Sequence, residues 1–159
     1  MIDSEAAELA QWLHRIEAVH PREIELGLDR VAAVYKALSI SKPATVITVA
    51  GTNGKGSCVA VMERLLCDLG VACGAFSSPH LLRFNERIRI DGEAVSDRQL
   101  CEAFARIDQA RGEIPLTYFE FGTLAALWIF AVQGVDYALL EVGLGGRLDA
   151  VNIIDADVA

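Results

Sequence analysis

Apolar residues along the chain switch repeatedly between a spacing of three to four and short continuous runs, and that alternation predicts the elements. Leu9, Leu13 and Ile16, with Trp12 beside them, mark a first helix that Ser4 can cap and His20-Pro21 ends. Ile24, Leu28, Val31, Tyr35 and Leu38 mark a second, broken at Lys42-Pro43. Val46-Ile47-Thr48-Val49 reads as a strand, and Gly51 to Ser57 as a glycine-rich loop. A helix then runs through Met62, Leu65, Leu66 and Leu69 to a stop at Gly70. Val71 to Phe76 is a second strand, and the alternation of Glu86 to Ile90 before Asp91-Gly92 predicts a hairpin. Ser96 with Gln99 forms a capping box ahead of a helix through Leu100, Phe104 and Ile107, closed by Arg111-Gly112. A further helix covers about Glu120 to Val132, and Asp136 to Val142 forms a third buried strand. Val151 to Ala159 enters another apolar segment and stops inside it, so the sheet is expected to be unfinished.

Strands alternating with helices predict an α/β fold with a mainly parallel sheet and helices on both faces. In such sheets ligands bind beyond the carboxyl ends of the strands. Loops 51–57, 77–80 and 143–149 all fall at such ends, which points to one shared site.

Composition narrows the function classes. The chain has 159 residues, and 14 basic against 22 acidic side chains give a net charge of −8. One domain with a single core suits that length. The acidic balance argues against non-specific binding to nucleic acid or to an anionic membrane. No apolar run is long enough to span a bilayer, and the acidic start Met1 to Glu5 is unlike a signal peptide. Cys58, Cys67, Cys73 and Cys101 lack metal-ligand spacing and are expected to be buried thiols. A cytoplasmic protein is therefore expected.

Gly51-Thr52-Asn53-Gly54-Lys55-Gly56-Ser57 carries the strongest chemical signal. A strand entering a glycine loop that opens a helix aims several N–H groups and the positive helix end at one point. Lys55 can reach terminal phosphates, and the Ser57 hydroxyl can ligate Mg2+. The spacing departs from the general phosphate-loop form, because only two residues separate Gly51 from Gly54 and Gly56 stands between Lys55 and the hydroxyl. An ordinary glycine turn with an exposed lysine is the bland alternative. Glu141 ends an apolar strand, where a carboxylate is costly unless paired or on a metal; Ser78 is a weaker candidate ligand. Gly143-Leu144-Gly145-Gly146-Arg147-Leu148 fails as a dinucleotide fingerprint, because Leu148 holds the place of its last glycine. It reads instead as a close-approach loop with Asp149 free to meet a polar ring. Phe84, flanked by Arg83 and Arg87, would suit an anionic aromatic substrate.

The phosphate loop resembles that of the Mur-ligase superfamily. Glu25 to Val31, Ser77 to Leu81, Thr117 to Glu120 and Glu141 to Ala150, taken with that loop, resemble the bacterial bifunctional dihydrofolate synthase/folylpolyglutamate synthase family. The resemblance implies an ATP-dependent amide ligase that joins L-glutamate to dihydropteroate and extends reduced folates through an acyl phosphate. Small molecules would be its only partners, and the full-length enzyme would be a monomer. Carried over by motif, Thr52, Asn53, Gly54, Lys55, Gly56 and Ser57 would hold ATP, with Lys55 and Glu141 catalytic. Ser57, Ser78 and Glu141 would bind Mg2+. Glu25, Leu26, Gly27, Leu28, Thr117, Tyr118, Phe119, Glu120, Leu148, Asp149 and Ala150 would line the pteroate pocket, with Phe119 stacking on the pterin. Residues 1–159 would then be an incomplete N-terminal ATP-binding domain, with helices over 4–38 preceding a phosphate-loop core over 45–159 and the C-terminal glutamate-ligase domain missing. Such a piece is expected to bind but not to catalyse. A stand-alone nucleotide-binding module is the alternative, and a small-molecule kinase would need an acceptor other than a carboxylate.

Overall fold

Three parallel strands are placed side by side by apolar runs that bury both of their faces. The computed structural model describes residues 2–19 and 25–159. The helices are α1 (Ile2–Val19), α2 (Asp29–Leu38), α3 (Lys55–Asp68), α4 (Asp97–Arg111) and α5 (Tyr118–Gln133). The strands are β1 (Thr45–Val49), β2 (Cys73–Phe76), β3 (Ile88–Ile90), β4 (Glu93–Ala94) and β5 (Tyr137–Glu141). They form one mixed sheet in the order β1-β5-β2-β3-β4, with β1, β5 and β2 parallel and the β3–β4 hairpin antiparallel at one side. Insertion of β5 between β1 and β2 brings the loops that follow all three strands to the same edge.

Alternation along each strand divides the core. Val46, Phe76, Ala138 and Leu140 face α1, α2, α4 and α5, while Ile47, Val49, Ala75 and Leu139 meet Val59, Met62 and Leu66 of α3. Helix α5 is apolar on every side, because it lies between the sheet and α4. Close approach to β2 needs Gly74: a β-carbon there would stand 2.4 Å from the Phe130 ring. The hairpin turns at Asp91 (φ 50°) and Gly92 (φ 85°), both left-handed as a two-residue turn of this hand requires.

Several local expectations are corrected. Helix α1 begins at Ile2, so Ser4 lies within it instead of capping it. His20, Pro21 and Ile24 lie outside the described residues. Helix α2 starts at Asp29, with Leu28 only its N-cap, because Arg30 reaches back to the carbonyl and carboxylate of Glu25 and holds 25–27 in a non-helical approach. On α3, Leu65 and Leu69 are exposed, since the helix turns Val59, Met62, Glu63 and Leu66 to the sheet. The second strand is shorter than Val71 to Phe76, beginning at Cys73. Val151 does not enter a strand: Ala150–Ile153 is a 3-10 turn capped by Asp149, and only Val158 bridges, in parallel, to Ile47. Cys73 and Cys101 are buried as expected, but Cys67 is only half-buried and Cys58 is exposed.

Candidate functional site

Strand β1 delivers the chain into a loop that only glycine can shape. Gly51 (φ 154°) and Gly54 (φ 78°) set its course, and Gly54 is the left-handed N-cap of α3. Thr52, Asn53, Gly54 and Ser57 are exposed, which leaves the loop open to an incoming anion. Lys55 folds over it, its Nζ donating to the Gly51 carbonyl at 3.0 Å. The first turn of α3 lies beside Glu141: a β-carbon on Gly56 would be 3.5 Å from Glu141 Oε2.

Glu141 ends β5 almost fully buried, at 4% exposure. Its Oε2 accepts the Ser78 N–H at 3.1 Å, and no cation pairs with it among the described residues. A carboxylate buried without a cationic side chain beside it favours a metal partner. No group of three acidic, His or Cys side chains that could hold a metal occurs among the described residues. Glu141, with the Ser78 N–H bonded to it and Ser57 exposed on the first turn of α3 whose Gly56 approaches it, offers hard oxygen of the kind Mg2+ takes. Mg2+ needs few protein ligands, because phosphate and water complete its shell.

The third loop is built by Asp149. Its carboxylate is 3% exposed and accepts the N–H groups of Leu144 at 2.8 Å and Val151 at 3.1 Å. Burial pushes its pKa up, against the pull of those amides and of Gly143. Asp149 therefore shapes the loop from within while one side still lines the cleft. Gly143 is the point of closest approach, since a β-carbon there would meet the Phe119 ring at 2.8 Å.

Phe119 enters from the first turn of α5, tilted against Phe76 with ring centres 5.6 Å apart. That turn is fixed by a reciprocal cap: Thr117 Oγ1 accepts the Glu120 N–H, and Glu120 Oε2 accepts the Thr117 N–H at 2.7 Å. Arg30 pairs with Glu120 at 3.1 Å and with Glu25 at 2.6 Å, tying the 25–28 approach to the start of α5.

These loops enclose a cleft of about 350 Å³. Of the expected residues, Glu25, Gly27, Lys55, Ser78, Thr117, Phe119, Glu120, Leu148, Asp149 and Ala150 line it. Leu26, Leu28 and Tyr118 do not, and of the phosphate-loop and metal candidates Thr52, Asn53, Gly54, Gly56, Ser57 and Glu141 lie outside the lining, with Lys55 and Ser78 alone reaching it. Leu26 covers Gly145, Leu28 packs on the core, and Tyr118 lies against Phe84 and Arg87. Pro79, Arg87, Gly143 and Leu144 line it without having been assigned to the pocket. Each had a visible signal: Arg87 as a cation beside an aromatic, Pro79 in the loop 77–80, and Gly143 and Leu144 in the close-approach loop. Arg30 is indistinguishable in sequence from any helix-surface arginine.

No family model matches the chain. Among curated proteins it is 52% identical over 155 residues to a dihydrofolate synthase/folylpolyglutamate synthase of Escherichia coli (strain K12), covering 97% of this chain and 37% of that protein. Among solved structures, E. coli FolC in complex with DHPP and ADP superposes with a TM-score of 0.92 at 51% identity, covering 96% of this chain and 37% of that one. The bifunctional folylpolyglutamate synthase/dihydrofolate synthase of Yersinia pestis CO92, complexed with AMPPNP and Mn ion, gives 0.89 at 52% identity, covering 94% and 37%. The chain thus spans little more than a third of the length of these relatives.

Proposed function

This chain belongs to the dihydrofolate synthase/folylpolyglutamate synthase family, and on that premise we propose that its cleft is the ATP and acyl-substrate site of an amide ligase of folate synthesis. The ligase joins L-glutamate to dihydropteroate and adds γ-linked glutamate to reduced folates. The observation that carries this reading is the meeting, in one cleft, of the phosphate-loop lysine Lys55, Ser78 next to the buried Glu141, and the Phe119 ring.

In the first step an oxygen of the substrate carboxylate attacks the γ-phosphorus of ATP, and ADP leaves. The loop amides of 52–57 and the Lys55 ammonium lie where charge grows on the transferred group. To act there, Lys55 exchanges its bond to the Gly51 carbonyl for one to phosphate. Glu141, Ser78 and Ser57 would hold Mg2+, which when bound neutralises phosphate oxygens. Phe119 stacks on the flat ring of the substrate, and the loop that Asp149 orders closes over it. In the second step the glutamate amine attacks the acyl carbon, releasing phosphate and one proton; until then the acyl phosphate must be kept from water.

The relatives' far greater length supports one further part of the reading. These 159 residues bind nucleotide and pteroate by themselves but do not complete the ligation. Calorimetry tests the assignment directly. Mg-ADP and dihydropteroate should each bind, and Lys55→Ala should weaken the nucleotide about 10-fold or more while leaving dihydropteroate unchanged. Nucleotide uptake with no pterin response would sink it in favour of a plain nucleotide-binding module.

A further inference from the structure

Among the described residues four arginines are largely sequestered from solvent, and three of them are paired with carboxylates. Arg30 bridges Glu25 and Glu120, Arg89 pairs with Glu63, and Arg111 with Asp108. Arg87 is the exception: half-buried, it has no carboxylate partner among the described residues. Its Nε donates to His80 Nδ1 at 2.7 Å. The guanidinium carbon lies 5.5 Å from the centre of the Phe84 ring and 5.6 Å from that of Tyr118. Two π faces and a neutral imidazole fix the plane of the guanidinium without neutralising it. Because Nδ1 accepts that bond, the face of the ring turned to Arg87 carries no proton of its own. Arg87 also lines the same cleft as Ser78 and Phe119.

A cation taken out of water and left unpaired is costly unless something negative comes to it. Lys55 and the loop amides serve the nucleotide, so the nucleotide does not account for Arg87. We propose that Arg87 binds an anionic group of the acyl substrate, its carboxylate, with His80 acting as the positioning residue that orients the guanidinium. The proposal rests on the ligase reading above and deepens it: the cleft selects a pterin that bears a free carboxylate over a neutral one. A planar fork held by one nitrogen still presents its terminal N–H groups to a carboxylate.

The test titrates the 159-residue chain with pteroate and with pteroate methyl ester, which keeps the rings and removes the charge. Wild type should prefer the acid. Arg87→Gln should lose about 10- to 100-fold in affinity for pteroate and little for the ester, with Arg87→Lys in between. Lys55→Ala, in the absence of nucleotide, should keep the preference. Equal affinity of wild type for acid and ester overturns the proposal, as does an equal loss of both ligands in Arg87→Gln, or a preference abolished by Lys55→Ala. Should Arg87→Gln not fold, added salt must still weaken pteroate more than ester in the wild type, and equal weakening counts against the proposal. If wild type binds neither compound, the ligase reading falls with it; if it binds both without discrimination, only the role of Arg87 falls.

Discussion

At the scale of single residues, one backbone-to-side-chain contact shapes the cleft and another orders the loop that follows Ser78 and Pro79. Gly143 lets the Phe119 ring lie against the main chain, and a methyl group there would have to displace the ring. Gly143→Ala should therefore weaken pteroate binding at least 10-fold in a titration, at a stability cost of about 1–3 kcal/mol in thermal unfolding. Glu86 is the second case. Its carboxylate accepts the N–H groups of Leu81, Leu82 and Arg83, and those bonds, that of Leu81 foremost, hold its pKa below the usual carboxylate range. The depressed folded pKa means that the ordering is fully present above about pH 4.5 and is lost as pH falls through the lower folded value. Amide exchange at 81–83, corrected for intrinsic rates, should speed up over that acid window in the wild type. In Glu86→Gln it should be fast and flat across it.

At the scale of elements, α5 has the weakest sequence signature and the firmest anchorage. With no polar face, its amphipathic pattern gives no register, and its start is set by Thr117 and Glu120. Both cap residues are buried, and Glu120 is also the partner of Arg30 from α2. Thr117→Ala should cost about 1–2 kcal/mol, the range for losing a cap. Glu120→Ala should cost more, about 3–5 kcal/mol, because it leaves Arg30 short of a partner in a largely buried site. Denaturant unfolding of the two variants checks the order. A Thr117 variant as damaged as the Glu120 one would mean that the cap, and not the ion pair, holds the two helices together.

For the whole molecule, the phosphate-loop helix depends on a small core. Helix α3 meets the sheet through Val59, Met62 and Leu66, against the much larger cluster on the opposite face. What supplements that contact is polar. Buried Glu63 receives Arg89 Nε on both oxygens, and Arg89 Nη1 donates to Ser77 Oγ and to the Glu86 carbonyl. One guanidinium thus links α3, the hairpin and the residue before Ser78. Glu63→Ala should destabilise the chain by about 3–5 kcal/mol, since it strands a buried cation. It should also weaken nucleotide binding in calorimetry, although Glu63 does not line the cleft. Intact stability would show that the apolar contacts alone seat the helix.

Much of this was readable in the chain, and the reasons for what was not are physical. The capping box at Ser96, the Asp91-Gly92 turn and the glycines of the phosphate loop are local, because neighbours in sequence supply both partners of each interaction. So are the strands, whose continuous apolar runs demand cover on both faces. The sequence alone therefore determined the α/β class, the order of elements and the three loops that meet. Tertiary structure decided whatever depends on residues far apart in the chain. It chose Val59, Met62 and Leu66 over Leu65 and Leu69 as the inner side of α3, a helix apolar enough to pack either way. It turned Asp149 inward onto amides, placed Tyr118 behind Arg87 instead of in the cleft, and left that arginine alone among the buried ones without an acidic partner among the described residues. Periodicity reports how far a segment wants to be buried; only packing across the sheet says against what, and which charges are left facing the ligand.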